Sequence, residues 1–149
     1  MQWGMFHHPR TSTYRKNLLC LLGDSAHASL PNQAAGAGQG LEDALILSGV
    51  LKRAYATLPQ LAAPAETSRA LQAAFEAYDA IRRPRAQRQV DTSVECGLVY
   101  NLSHPGIGDD MQKTVDDLNR RFDWLWNHDL DRDVEDAVRR FDEIFHSTI

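Results

Sequence analysis

Gly23 and Asp24 close a short apolar run, and ten residues further on the chain gives up its side chains. Ala34-Ala35-Gly36-Ala37-Gly38-Gln39-Gly40 is followed by Leu41-Glu42-Asp43. In an open α/β sheet, ligands gather beyond the carboxyl ends of the strands. Asp24 stands at such an end, one residue after a glycine that permits a sharp turn. A carboxylate there can accept hydrogen bonds from the hydroxyls of a sugar or polyol. A turn or cap aspartate that bonds its own backbone looks the same in sequence, and spacing alone leaves both readings open. The Gly/Ala run lets a planar ligand lie against the backbone. A helix starting there offers free N–H groups and a partial positive charge, which suits a ligand that carries or develops negative charge. Glu42 and Asp43 fit the first turn of that helix for the same dipole reason, as capping residues rather than catalytic ones.

Other chemistries are excluded residue by residue. A G-x-G-x-x-G fingerprint would need glycine at position 41, which is Leu41, and no Gly-Lys-Ser/Thr follows to make a phosphate-binding loop. Ser25 lies in Gly-Asp-Ser-Ala-His, not in the G-x-S-x-G of a nucleophile elbow. The six histidines, His7, His8, His27, His104, His128 and His146, show no metal-ligand spacing, so no metal site is expected. No side chain is assigned as catalytic. Cys20 and Cys96 are too few and too distant for a disulfide framework. Cys20 is expected to behave as a small buried hydrophobe.

The elements that must position these residues follow from periodicity. Residues 1–16 have no clear period and read as an irregular lead-in with a turn near Pro9. Asn17 to Leu22, continuous and apolar, reads as a fully buried strand. The helix after the small-residue loop carries Leu41, Ala44, Leu45, Leu51 and Tyr55 on one stripe. With Ile46, Leu47 and Val50 also apolar, it is expected to be buried on most sides. A loop with two prolines leads to a helix from Glu66 to Arg83, which Pro84 should kink or restart. A further helical segment, with Val90, Val94 and Gly97 on one side, reaches Tyr100. Arg82, Arg83, Arg85 and Arg88 read as a solvated face. After a loop at residues 101–110 the tail is helical with a break at Asn127-His128-Asp129. Its last segment carries Val134, Ala137, Val138, Phe141, Ile144 and Phe145 as an apolar stripe. Trp3, Trp124 and Trp126 are expected core or interface anchors. A single strand among helices is an incomplete architecture, so the chain reads as part of a larger domain.

An acid able to hold a polyol, a flat backbone surface and a positively polarised helix start together match the parts of a flavin. At this point "LLGDSAHASLPNQAAGAGQGLEDA" resembles the second FAD-binding motif of the aromatic-ring flavoprotein monooxygenases, the salicylate-hydroxylase-like group in particular. "YDAIRRPRAQRQV" and "DWLWNHD" are similar to later segments of the same family, so the resemblance covers most of the chain. It implies an α/β FAD-binding fold, of which this portion is mostly helical with one or a few strands near its N-terminus. It implies that Gly23 and Asp24 hold the ribityl hydroxyls of FAD, and that Pro31 lines the cavity where ring and substrate meet. Gly36, Gly38, Gln39, Gly40 and Leu41 would bind the cofactor, the backbone from Gly38 to Leu41 facing the flavin N1–C2=O edge, with charge stabilised near Gly40. His27 would be a packing residue of the site. Ala34 occupies a position that is often glycine, which would strain the loop if a positive φ is needed.

The resemblance further implies hydroxylation of a small aromatic substrate with NAD(P)H and O2, through a flavin C4a-hydroperoxide. The family's strand–GxGxxG–helix unit for the ADP half of FAD and most of its β-rich middle domain have no counterpart here. The expectation is therefore a C-terminal portion, with residues 1–16 ending the middle region, 17–100 completing the FAD-binding domain and 101–149 forming a tail. A missing N-terminal half or a dimer partner would complete it. A non-catalytic remnant or helical interaction protein is the alternative.

Composition agrees with a soluble domain, 43% hydrophobic and 24% charged. The net charge of -4 disfavours nucleic acid or an anionic membrane as partner. No membrane span or secretory leader is visible in the sequence, so the expected location is cytoplasmic.

Overall fold

A computed structural model describes residues 4–59 and 63–147, so Trp3 and the middle of the two-proline loop lie outside the described residues. From residue 4 the chain is irregular until it enters a minimal hairpin, β1 (Arg15–Lys16) and β2 (Leu19–Cys20), antiparallel with Arg15 opposite Cys20. Asn17 in its turn has φ 53°, a left-handed conformation that asparagine tolerates better than most residues. There follow α1 (Asp24–His27), a 3-10 turn at Pro31–Gln33, α2 (Gly36–Thr57) and α3 (Pro64–Tyr100). The chain ends with α4 (Met111–Arg121), α5 (Asp123–Trp126) and α6 (Leu130–Ser147).

Helices α2, α3 and α6 pack on one another and make the core. From α3 come Ala70, Ala73, Ala74 and Ala77, a helical stripe of small residues that lets its neighbours approach. From α2 come Ile46, Val50 and Ala54, and from α6 come Ala137, Phe141 and Phe145. Gly49 marks a tight crossing of α2 and α6, since a Cβ there would lie 2.9 Å from Val134 Cγ1. The α6 stripe therefore packs as its periodicity predicts, with Val134, Val138 and Ile144 partly buried against the core. The break between helices at residues 127–129 and the loop at 101–110 are also present. Asp110 caps α4 by accepting from the Lys113 N–H at 3.1 Å.

Four expectations are corrected. Asn17 to Leu22 is not a buried strand: only two of its residues pair, and Leu18, Leu19 and Leu21 are exposed. Its one partner among the described residues is β1, so nothing covers its other edge. In α2 the buried face is Gln39, Asp43, Ile46, Val50 and Ala54, while Leu41, Leu45 and Tyr55 face solvent. The helix is turned so that an acid, not a leucine, points inward. Pro84 does not restart a helix, since α3 runs as one element from Pro64 to Tyr100 with Pro84 inside it. Arg82 and Arg85, on either side of the Arg83–Pro84 pair, are both tied to α2, while Arg83 pairs with Asp79 within α3. Finally, Trp126 is not a core anchor: it is 72% exposed and stacks on Phe122 at 5.0 Å between ring centroids.

Candidate functional site

The site is built where the turn after β2 crosses the start of α2. Gly23 adopts φ 54°, a conformation open to a residue without Cβ. A Cβ on Gly40 would lie 3.6 Å from the Gly23 Cα, so two glycines meet at the crossing. Asp24 follows at the head of α1, exposed, and among the described residues its carboxylate has no hydrogen-bond partner. The capping role open to it in sequence is not used.

From α1 the chain runs through Leu30 and the exposed Pro31 into the 3-10 turn. Ala34 then takes φ 51° and ψ 28°, the left-handed conformation that the sequence raised as a source of strain. Helix α2 begins at Gly36 with no side-chain cap, so the N–H groups of Gly36, Ala37 and Gly38 have no acceptor within the helix. Gln39 N–H is already bonded, to the Ala35 carbonyl at 2.9 Å. The free donors therefore sit two to four residues ahead of Gly40, because the Gly/Ala run is the helix's first turn and not a loop before it. Over Gly38 a Cβ would meet nothing within 4 Å. Leu41 is 73% exposed beside this bare face.

Beneath the face lies a buried ion network that sequence reasoning missed. Arg82, with no exposed surface, donates from Nε to Asp43 Oδ1 at 2.8 Å and from Nη1 to Glu42 Oε2 at 2.8 Å. Its Nη2 reaches the Gln39 carbonyl at 3.2 Å and the Gln39 side-chain oxygen at 2.9 Å. Arg85 clasps Glu42 with Nε and Nη2 at 2.7 and 2.8 Å and donates to the Leu125 carbonyl at 3.0 Å. The second oxygen of Asp43 accepts the Gly23 N–H at 2.8 Å and His27 Nε2 at 2.6 Å. Two guanidinium groups thus balance two carboxylates, as buried charges require. Arg82 and Arg85 are not the solvated face expected of them, although Arg88 is exposed over the Trp124 ring. A legible signal was available: arginines three apart on one helix face match adjacent acids on another.

Electrostatics follow from this burial. Desolvation alone would raise the Asp43 carboxyl, but bonds from His27 and the Gly23 N–H, with the Arg82 charge, hold it below its ordinary value. Burial, reinforced by the Asp43 charge, pushes the Tyr14 phenol up to about 12 and raises Tyr78 as well. The Cys20 thiol is pushed up to about 12, chiefly by burial. His27 is 2% exposed and spent on Asp43, which makes it the packing and hydrogen-bonding residue expected. Gln39 turns its amide into the network, so toward the open face it can offer only backbone. No cluster of His, Cys, Asp and Glu able to hold a metal occurs among the described residues. No described helix is long and apolar enough to cross a membrane. An unpartnered carboxylate, an uncapped helix start and a bare surface between them fit the sugar chain, the polarised edge and the flat ring of a flavin.

Comparison with known proteins gives the class. The profile described as FAD binding domain matches residues 2–93, and the chain belongs to that family, whose cofactor is FAD. The chain's relatives include FAD-dependent monooxygenases and salicylate hydroxylases. It is 50% identical over 134 residues to an FAD-dependent monooxygenase of Gibberella moniliformis, covering 89% of this chain and 30% of that protein. It is 44% identical over 131 residues to a salicylate hydroxylase of Pseudomonas putida, covering 88% and 28%. A salicylate hydroxylase substrate complex superposes with a TM-score of 0.74 at 39% identity, covering 87% of this chain and 29% of that one. The chain therefore has the salicylate-hydroxylase-like FAD-binding fold, and it spans under a third of the relatives it matches.

Proposed function

We propose that this chain is the C-terminal portion of an NAD(P)H-dependent FAD monooxygenase that hydroxylates a small aromatic substrate with O2, and that it supplies the ribityl and ring half of the FAD site. FAD supplies the redox chemistry when bound; the chain's own residues place it. Asp24 holds the ribityl hydroxyls beside Gly23. The backbone of Gly36, Gly38, Gln39, Gly40 and Leu41 lies along the ring, the free N–H groups at Gly36–Gly38 opposing charge that builds on its edge. Pro31 lines the side where substrate enters. Residues 17–100 belong to the FAD-binding domain and 101–149 to a helical tail; the whole works in the cytoplasm, completed by an N-terminal half that carries the ADP-binding unit. One observation supports this reading most directly. Among the described residues Asp24 is a carboxylate without a partner, set by a locked buried network beside a helix start without a side-chain cap.

An FAD titration of the purified chain, followed by flavin absorbance and fluorescence, tests it. Saturable binding is expected, weakened about tenfold or more in Asp24→Ala, the scale of a lost hydrogen bond to a charged group. A second arm replaces the matching segment of the Pseudomonas putida salicylate hydroxylase with residues 8–147 of this chain. Salicylate-dependent NAD(P)H oxidation with retained FAD supports the reading. A chimaera that folds yet holds no FAD overturns it and leaves a non-catalytic helical piece.

A further inference from the structure

The 3-10 turn that carries Pro31 is held from one side by the second half of α3. Ser93, fully buried, accepts the Leu30 N–H on its Oγ at 3.2 Å, and its carbonyl accepts the Asn32 side-chain amide at 2.9 Å. The Asn32 carbonyl in turn accepts the Cys96 thiol at 3.5 Å. One turn on, Gly97 lies directly under Asn32: a Cβ there would fall inside contact distance of the Asn32 amide nitrogen and 3.3 Å from its Cγ. Glycine within a helix is disfavoured relative to alanine, so position 97 forgoes helix propensity in favour of room for Asn32. Pro31 has no N–H to give and is exposed. Its place is set by its two neighbours, both seated on Ser93. The next left-handed residue, Ala34, passes that placement directly into the first turn of α2.

We infer that Gly97 and Ser93 are positioning residues: they set the gap between Pro31 and the bare first turn of α2, and so how a planar ring seats in it. The functional half of this inference rests on the reading of that face as a flavin site, while the geometric half does not.

Gly97→Ala separates positioning from stability, because alanine favours the helix while displacing Asn32. In the full chain three quantities are measured: thermal midpoint, amide resonances in a proton–nitrogen correlation spectrum, and FAD affinity with the bound-flavin absorption spectrum. The expected result is a midpoint unchanged or raised, resonance shifts concentrated at residues 30–38, affinity lowered about tenfold and an altered flavin spectrum. Ser93→Ala, which removes the acceptor of the Leu30 N–H without adding bulk, should shift the same resonances and lower the affinity in the same direction. Shifts absent from residues 30–38 in either variant overturn the inference. A parent chain that binds FAD and a Gly97→Ala chain that binds it identically also overturn it, with the flavin reading intact. A parent chain that binds no FAD counts against the flavin reading instead, and the resonance arm then decides the positioning.

Discussion

Arg82 Nε and Asp43 Oδ1 meet at 2.8 Å with neither side chain exposed to solvent. The pair joins the middle of α3 to the second turn of α2. Through its other oxygen Asp43 also grips the Gly23 N–H and His27. One carboxylate therefore fixes the relative position of three elements, and the turn that presents Asp24 is among them. A buried pair of this kind gains little over an apolar one in stability, but breaking it exposes an uncompensated charge to low dielectric. Its value here is geometric: it holds an open surface on a rigid floor.

Asp43→Asn should be the most damaging polar change in the chain. Asparagine keeps an acceptor for Arg82 but presents an NH2 to two donors, the Gly23 N–H and His27 Nε2. Loss of one buried partner costs about 3–5 kcal/mol, a large fraction of the stability of a typical domain. Urea unfolding followed by far-ultraviolet circular dichroism measures it. A loss below about 1 kcal/mol would show that the network is not what holds the site.

Acid should dismantle the same floor. The folded Asp43 carboxyl lies below its ordinary value, so its contribution is fully present above the unfolded pKa, about 3.9. That contribution is lost as pH falls through the lower folded value. Stability measured from pH 6 down to pH 2 should decline below about pH 4, and Asp43→Asn should flatten that decline. Parallel curves for parent and variant would contradict this.

Ala34→Gly should stabilise the chain. Ala34 sits at φ 51°, where a Cβ costs about 1–2 kcal/mol, and glycine returns part of that through a freer unfolded chain. A net gain of about 0.5–1 kcal/mol is expected, read as a rise in thermal midpoint. A fall would mean that the alanine side chain makes compensating contacts at the site.

Asp24→Asn should leave stability within about 0.5 kcal/mol of the parent, as for a surface residue away from any special feature. Its carboxylate makes no hydrogen bond among the described residues and is exposed. Unfolding of the two proteins side by side checks it. A marked loss would reveal a structural role and weaken the case for Asp24 as a residue kept for a ligand.

The parts legible in advance were those whose cause is local. The α6 stripe, the loop at residues 101–110 and the break at Asn127–Asp129 all follow from periodicity and turn-forming residues close together in the chain. The motif from Leu21 to Ala44 carries the resemblance to the family, and within it the alanine at position 34 signals the left-handed backbone that the fold adopts there.

What only the tertiary structure decided is which way polar and apolar residues face. Leu18, Leu19 and Leu41 look like core and are exposed; Arg82 and Asp43 look like surface and have no exposed area. An arginine carries the same letter whether water or a carboxylate satisfies it. Its burial depends on a partner that the chain brings within reach only on folding, here across 39 residues to Asp43. Likewise, Gly97 reads as a weak point in a helix until Asn32, 61 residues from the Ser93 whose carbonyl it binds, is seen resting on it. Local chemistry wrote the open face into the sequence. Long-range pairing of buried charge, paid back only when both partners leave water together, set the floor beneath it.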